Sequence, residues 1–152
     1  MNKLSYEEQV NQLLAAIDIA IASFQLYPPK NWDEGTIQHI IKTYSSWKND
    51  VQYPKPQFKN KQSLKYSIND VFTYFQESSG EAVNYFWQQI KDTGLEFKRE
   101  NRLKKVLKQK KINTQIEYDF IIDVLVPYQQ EGLIGNDEVN LLNRLLADYK
   151  AR

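Results

Sequence analysis

Apolar residues near the start of the chain recur at every third or fourth position. Val10, Leu13, Leu14, Ile17, Ile21 and Phe24 follow i, i+3, i+4, i+7 spacing, the sign of one buried helical face. Ser5 and Glu8 stand three apart just before this run. They form a capping box: the serine hydroxyl accepts from the N3 amide and the glutamate reaches back. Pro28 and Pro29 end the helix, because neither can donate to a continuing ladder.

The same reading continues along the chain. Asp33 and Glu34 stand where acids favour a helix start, and Ile37, Ile40, Ile41, Tyr44 and Trp47 form its stripe, ending near Asp50. The polar stretch VQYPKPQFKNKQ carries Pro54 and Pro56 and reads as a connecting loop over 51–62, inside a domain rather than between two. Two prolines are also a weak polyproline recognition signal. Leu64, Ile68, Val71, Phe72 and Phe75 mark a third helix, ending before Ser78, Ser79 and Gly80. Val83, Phe86, Trp87 and Ile90 mark a fourth, with Gly94 placed as the residue after its C-cap.

Thr114 and Glu117 form a second capping box, opening a helix through Ile116, Phe120, Ile121, Val124, Leu125 and Tyr128. Pro127 kinks its last turns and Gly132 closes it. The segment YDFIIDVLV is β-branched enough for a strand, but the cap and the length favour helix. Asn136 caps a final helix with Asp137 and Glu138 in its first turn and Val139, Leu142, Leu145 (or Leu146) and Tyr149 as its stripe. The glycines are too few and too scattered for tight hairpins, and no solenoid repeat is present. The prediction is an all-α, irregular bundle of about seven helices in a single domain spanning 1–152.

Composition agrees with that prediction. A chain of 152 residues suits one domain and buries roughly 70% of its unfolded surface. Ten Tyr, seven Phe and three Trp supply an aromatic core. There is no cysteine, so there are no disulfides and no thiolate chemistry. The opening residues lack the apolar core of a signal peptide, and polar interruptions in VNQLLAAIDIAIASFQLY rule it out as a membrane span. The expected location is the cytoplasm, away from membranes.

The net charge of +1 is unevenly placed. KRENRLKKVLKQKK, 98–111, holds eight basic residues and one acid, a charge of +7; 1–97 sums to −2 and 112–152 to −4. If 95–111 is helical, Leu95, Leu103, Val106 and Leu107 share one side. Lys98, Arg102, Lys104, Lys105, Lys108 and Lys111 spread over the other, and Arg99 and Lys110 flank the apolar stripe and snorkel. The simplest reading is a solvated face, or one paired with acids such as Glu117, Asp119 and Asp123. The sharper reading is phosphate-backbone binding, which needs only clustered cations. Base-specific reading lacks interleaved aromatics. A third reading is a docking face for an acidic protein.

Enzymatic signatures are missing. No GxxxxGK[ST], GxGxxG, GxSxG or HExxH occurs, which removes the usual phosphate, dinucleotide, nucleophile-elbow and zincin sites. His39 is the sole histidine, with no partner for metal or general-base work. Asp119 and Asp123 share a helix face at i, i+4, but facing acid pairs with Glu-x-x-His motifs, as in di-metal bundles, are lacking. No cofactor and no metal is expected. Tyr66, Tyr74 and Tyr85 fall off the main stripes; exposed together, they would anchor a protein interface.

The tail KINTQIEYDFIIDVLVPYQQEGLIGNDEVNLLNRLLADYK combines a short KIN lead, an EYD helix start, an acid-led final helix and an LNRLLADY end. It resembles the C-terminal helices of small helical bacterial immunity proteins of contact-dependent or polymorphic toxin systems. The resemblance covers some forty of the 152 residues, and its motifs are capping and core positions. It implies a non-enzymatic cytoplasmic protein that blocks one toxin domain, and it carries over no binding residue. The expectation is a protein-binding module whose partner is a toxin domain, with phosphate-backbone binding through 98–111 as the alternative.

Overall fold

A computed structural model describes residues 4–151. It is all-α, with seven helices, one 3-10 turn and no strand among the described residues. No helix among them is long and apolar enough to cross a membrane. The chain forms two compact units. The first comprises residues up to Phe75 together with Gly80–Lys98; the second comprises Gln76–Ser79 and the chain from Arg99 onward. The 51–62 segment lies inside the first unit.

In the first unit, α1 (Tyr6–Leu26) starts at the Ser5 capping box, both arms of which form at 3.1 Å. α2 (Glu34–Gln52) starts at Asp33, whose carboxylate accepts the Thr36 amide at 2.7 Å. After α2 comes the 3-10 turn Pro56–Phe58, then α3 (Lys61–Glu77) and α4 (Glu81–Asp92). α4 ends in a Schellman motif. Gly94, at φ +72°, donates to Lys91, and the Leu95 amide donates to Ile90, the two bonds that satisfy the last carbonyls.

The first core is built of rings. Phe75 stacks on Phe86 at 3.8 Å, and Phe24 meets Trp32, Tyr44, Tyr74 and Phe75 at 5.2–5.4 Å. Two polar tips are satisfied inside it: Tyr44 donates to the Val71 carbonyl at 2.9 Å and Trp87 to the Phe75 carbonyl at 2.8 Å. Burial pushes the Tyr44 phenol up in pKa, so it stays a donor.

In the second unit, α5 (Lys104–Gln109), α6 (Gln115–Gln130) and α7 (Asn136–Lys150) enclose Leu103, Val106, Ile112, Ile121, Val124, Tyr128, Ile134, Leu142, Leu145 and Leu146. YDFIIDVLV is helix, as its cap and length predict. A second Schellman motif closes α6: Gly132, at φ +74°, donates to Gln129, and Leu133 to Tyr128.

Three local expectations are corrected. Ile116 is 81% exposed rather than part of the buried stripe; at 100° per residue it lies well off the Ile121, Val124, Tyr128 face. The Thr114 hydroxyl accepts from Glu117 as expected, but the Glu117 carboxylate takes the Asn113 amide at 2.8 Å rather than that of Thr114. Asn136 is the first residue of α7 rather than its cap. Gly135 holds the cap position, and its amide donates to Glu138 at 3.0 Å.

The largest correction concerns 95–111. Only Lys104–Gln109 is helical. The amides before it go to side chains instead of a helical ladder: Glu100 to Gln76 Oε1 at 2.7 Å, Arg102 to the Tyr128 hydroxyl at 3.4 Å and Leu103 to Asn101 Oδ1 at 2.8 Å. Leu95 therefore packs on the first core, while Leu103, Val106 and Leu107 pack on the second.

Candidate functional site: an aromatic cleft and a lysine surface

The first unit carries an open cleft of about 620 Å³. Its walls come from the start of α1, the end of α2, the proline loop and the first turns of α3, with Tyr6, Asp50, Tyr53, Pro54, Phe58 and Tyr66 among the lining residues. Local sequence explains each position. Pro54 and Pro56 have no amide to extend α2, and Pro56 opens the 3-10 turn. The Phe58 amide closes that turn onto the Lys55 carbonyl at 2.8 Å, which leaves the Phe58 ring at the surface. Tyr66 lies on the wet side of α3, two residues from buried Leu64.

Tyr53, Phe58 and Tyr66 are 72%, 53% and 69% exposed. No ring of the cleft pairs with another ring among the described residues, although most aromatics of this unit do. The hydroxyls of Tyr6, Tyr53, Ser63, Tyr66 and Ser67 donate to no group among the described residues. Burial, helped by the charge of Glu7, pushes the Tyr6 phenol up, so it too remains a proton donor. The cleft therefore offers ring faces and unused hydroxyl donors, with one carboxylate, Asp50, and one ammonium, Lys55.

The second unit carries the lysine surface. Lys104, Lys105, Lys108, Lys110 and Lys111 are exposed. The three ion pairs among the described residues are Lys48–Asp18, Arg99–Glu131 and Arg102–Glu100, so these five lysines enter none. The acids expected to cover them are engaged otherwise: Glu117 by Asn113 and Gln109, Asp119 by Gln115. Asp123 remains exposed, and partial burial, then the charge of Asp119, pushes its carboxyl up.

Three of the predicted basic residues behave differently. Lys98 is exposed but belongs to the first unit. Arg102 is half-buried and sits 4.0 Å from Glu100. Arg99, predicted to snorkel, is 8% exposed and wedged beneath the surface. It donates to the Ser78 carbonyl and to Glu131, and it lies over the Tyr128 ring at 5.2 Å.

The structure does not bring Tyr66, Tyr74 and Tyr85 into one patch. Tyr66 lines the cleft, Tyr74 packs on Phe24 and Trp32, and Tyr85 meets Tyr27 at 5.4 Å. Sequence reasoning missed Tyr6, Tyr53 and Phe58. The available signal was two large rings, Tyr53 and Phe58, in an otherwise polar proline loop. His39 is exposed on α2. Among the described residues no three of His, Asp or Glu converge to hold a metal ion. No protein-family model, curated protein or solved structure matches the chain.

Proposed function

We propose that this chain is a non-enzymatic, cytoplasmic protein-binding module that contacts its partner through the aromatic cleft of the first unit. The observation that carries the reading is the trio Tyr53, Phe58 and Tyr66, exposed around one cavity and engaged with no other ring. Rigid aromatic side chains give large contact area at low entropic cost and dominate interface energetics. In its most concrete form, supported by the resemblance of the tail, the module is an immunity protein. It covers a toxin domain's active site and works by occlusion. The test is complex formation and growth rescue with the product of an adjacent toxin gene. The reading requires that Tyr53→Ala and Tyr66→Ala weaken both; unchanged binding in the double variant rejects the cleft.

A second reading has its own observation, the five exposed lysines that enter no ion pair among the described residues. It takes the second unit as a phosphate-backbone binder. Affinity for a duplex oligonucleotide should then fall steeply with salt, and replacing Lys104, Lys105 and Lys108 by Glu should abolish it. Salt-independent or unchanged binding rejects this reading.

A further inference from the structure

We infer that the aromatic cleft takes an extended, proline-bearing segment of a partner protein, with a basic side chain of that segment set against Asp50. The inference rests on the cleft being the contact surface, and it adds what the cleft holds.

The argument begins with hydrogen-bond supply. Five hydroxyls around the cleft, those of Tyr6, Tyr53, Ser63, Tyr66 and Ser67, are without an acceptor among the described residues. In water this costs nothing. Once a partner covers them, each needs an acceptor or loses the free energy of an unpaired buried donor. The occupant must therefore bring free acceptors and few donors of its own.

Backbone conformation then separates the candidates. A helix has already spent its carbonyls on its own ladder, so it would leave the hydroxyls unpaired. A strand needs a sheet edge to join, and no strand exists among the described residues. A polyproline segment has no internal hydrogen bonds, so every carbonyl points outward and free. Each proline also removes one amide donor. Such a segment matches a donor-rich wall, and its rings lie flat on tyrosine and phenylalanine faces. The volume of about 620 Å³ falls within the range of built ligand pockets, roughly 300–1,000 Å³.

Charge fixes the flank. Asp50 lies in the last turn of α2, which carries no basic residue. The negative end of the helix dipole disfavours an acid there. Asp50 enters none of the ion pairs among the described residues. A cation supplied by the partner relieves both conditions.

The walls are stiff enough to select. Pro54 and Pro56 fix φ on both sides of Lys55, and Asn60 ties the loop to α3 by accepting the Ser63 amide at 2.8 Å and donating to the Gln57 carbonyl. A preformed wall and a preformed segment lose little entropy on meeting.

The test is a titration of the full ¹⁵N-labelled chain with a degenerate mixture of peptides about ten residues long, with arginine first and proline fixed at two positions three apart. The control mixture has alanine at the fixed positions. The expected result is saturable shifts of backbone amides in 50–67 with the proline mixture. Binding should weaken at least about tenfold in Tyr53→Ala, in Tyr66→Ala and with the alanine control. Both tyrosines are mostly exposed, and unchanged circular dichroism of the variants confirms folding. No shifts in 50–67, or equal binding of the alanine mixture, overturns the inference. If a partner protein still depends on Tyr53 and Tyr66 while the proline peptides fail, only the occupant is wrong. If partner binding ignores both substitutions, the functional reading fails as well.

Discussion

Tyr128 donates its phenol to the main-chain carbonyl of Gln76 at 3.0 Å, across fifty-two positions of sequence. It is the largest fully buried side chain among the described residues. Arg99 lies over its ring and binds the Ser78 carbonyl, two residues from Gln76. Burial pushes the Tyr128 phenol up, opposed by the Arg102 amide and by the charges of Arg99 and Arg102. The second unit thus closes around Gln76–Ser79 with a polar clasp on its apolar core.

The clasp predicts an order of stability losses. Tyr128→Phe removes the bond to the Gln76 carbonyl and the acceptor of the Arg102 amide, and costs about 1–2 kcal/mol. Arg99→Ala costs more, about 3 kcal/mol, because it removes a ring contact and a charged donor to the half-buried Ser78 carbonyl. Arg99→Lys does not restore the loss, since an ammonium lacks the planar fork that serves two acceptors and a ring at once. Glu131→Gln costs less than about 1 kcal/mol, because its carboxylate is partly solvated and 3.4 Å away. Denaturant midpoints at constant m-value check the order.

Helix ends predict changes of opposite sign. Gly94→Ala and Gly132→Ala each cost about 1 kcal/mol, since both positions need positive φ. A new Cβ would meet nothing within 4 Å at either site, so the penalty is one of backbone conformation alone. Lys110 closes α5 at φ +54°. Lys110→Gly should therefore stabilise the protein by up to about 1 kcal/mol. Thermal unfolding resolves both, at roughly 2–4 °C per kcal/mol for a chain of this size.

What the sequence reveals divides along the line between local and distant causes. The Ser5 box, the Pro28–Pro29 stop and the glycine closures at Gly94 and Gly132 are legible because each is settled within a few residues. The fate of 95–103 is not. Its amides are claimed by Gln76 and Tyr128, which periodicity in the basic segment cannot anticipate. The cleft is hidden for the same reason: its rings come from three separate stretches of chain, around Tyr6, Tyr53–Phe58 and Tyr66. That Tyr66, Tyr74 and Tyr85 are off-stripe is visible in the sequence. That Tyr74 is nonetheless covered depends on Phe24 and Trp32 arriving from elsewhere.

Asp123 predicts a pH-dependent gain. Its carboxyl is pushed up by partial burial and by Asp119. A raised folded value means the contribution to stability is intact below the unfolded value, near 3.8, and is lost as pH rises through the folded value. At neutral pH the charged form is therefore a cost, reduced by the group's exposure to solvent. Asp123→Asn, nearly neutral in helix propensity, should raise the unfolding temperature at pH 7. The gain should vanish well below pH 3.8. Glu8 and Asp33 act in the opposite direction: hydrogen bonds from Ser5 hold the Glu8 carboxyl down, and hydrogen bonds from Thr36 hold that of Asp33 down. Their contribution is present above the unfolded values and is lost as pH falls through the folded ones. Melting curves of wild type and Asp123→Asn across the acid range check both signs.

The outer side of α6 separates residues needed for folding from residues that are not. Ile121 is fully buried, whereas Ile116, Ile122 and Val126 are 81%, 52% and 56% exposed. Ile121→Ala opens a cavity and should cost about 2–5 kcal/mol. Ile116→Ser removes little buried surface and should change stability by no more than about 0.5 kcal/mol. Ile122→Ser and Val126→Ser should likewise cost far less than Ile121→Ala, and serine there should raise solubility by shrinking an exposed apolar stripe. Chemical denaturation and precipitation midpoints measure the two effects separately. A loss above about 2 kcal/mol for Ile116→Ser would place that side chain in the core and reverse the assigned facing of α6.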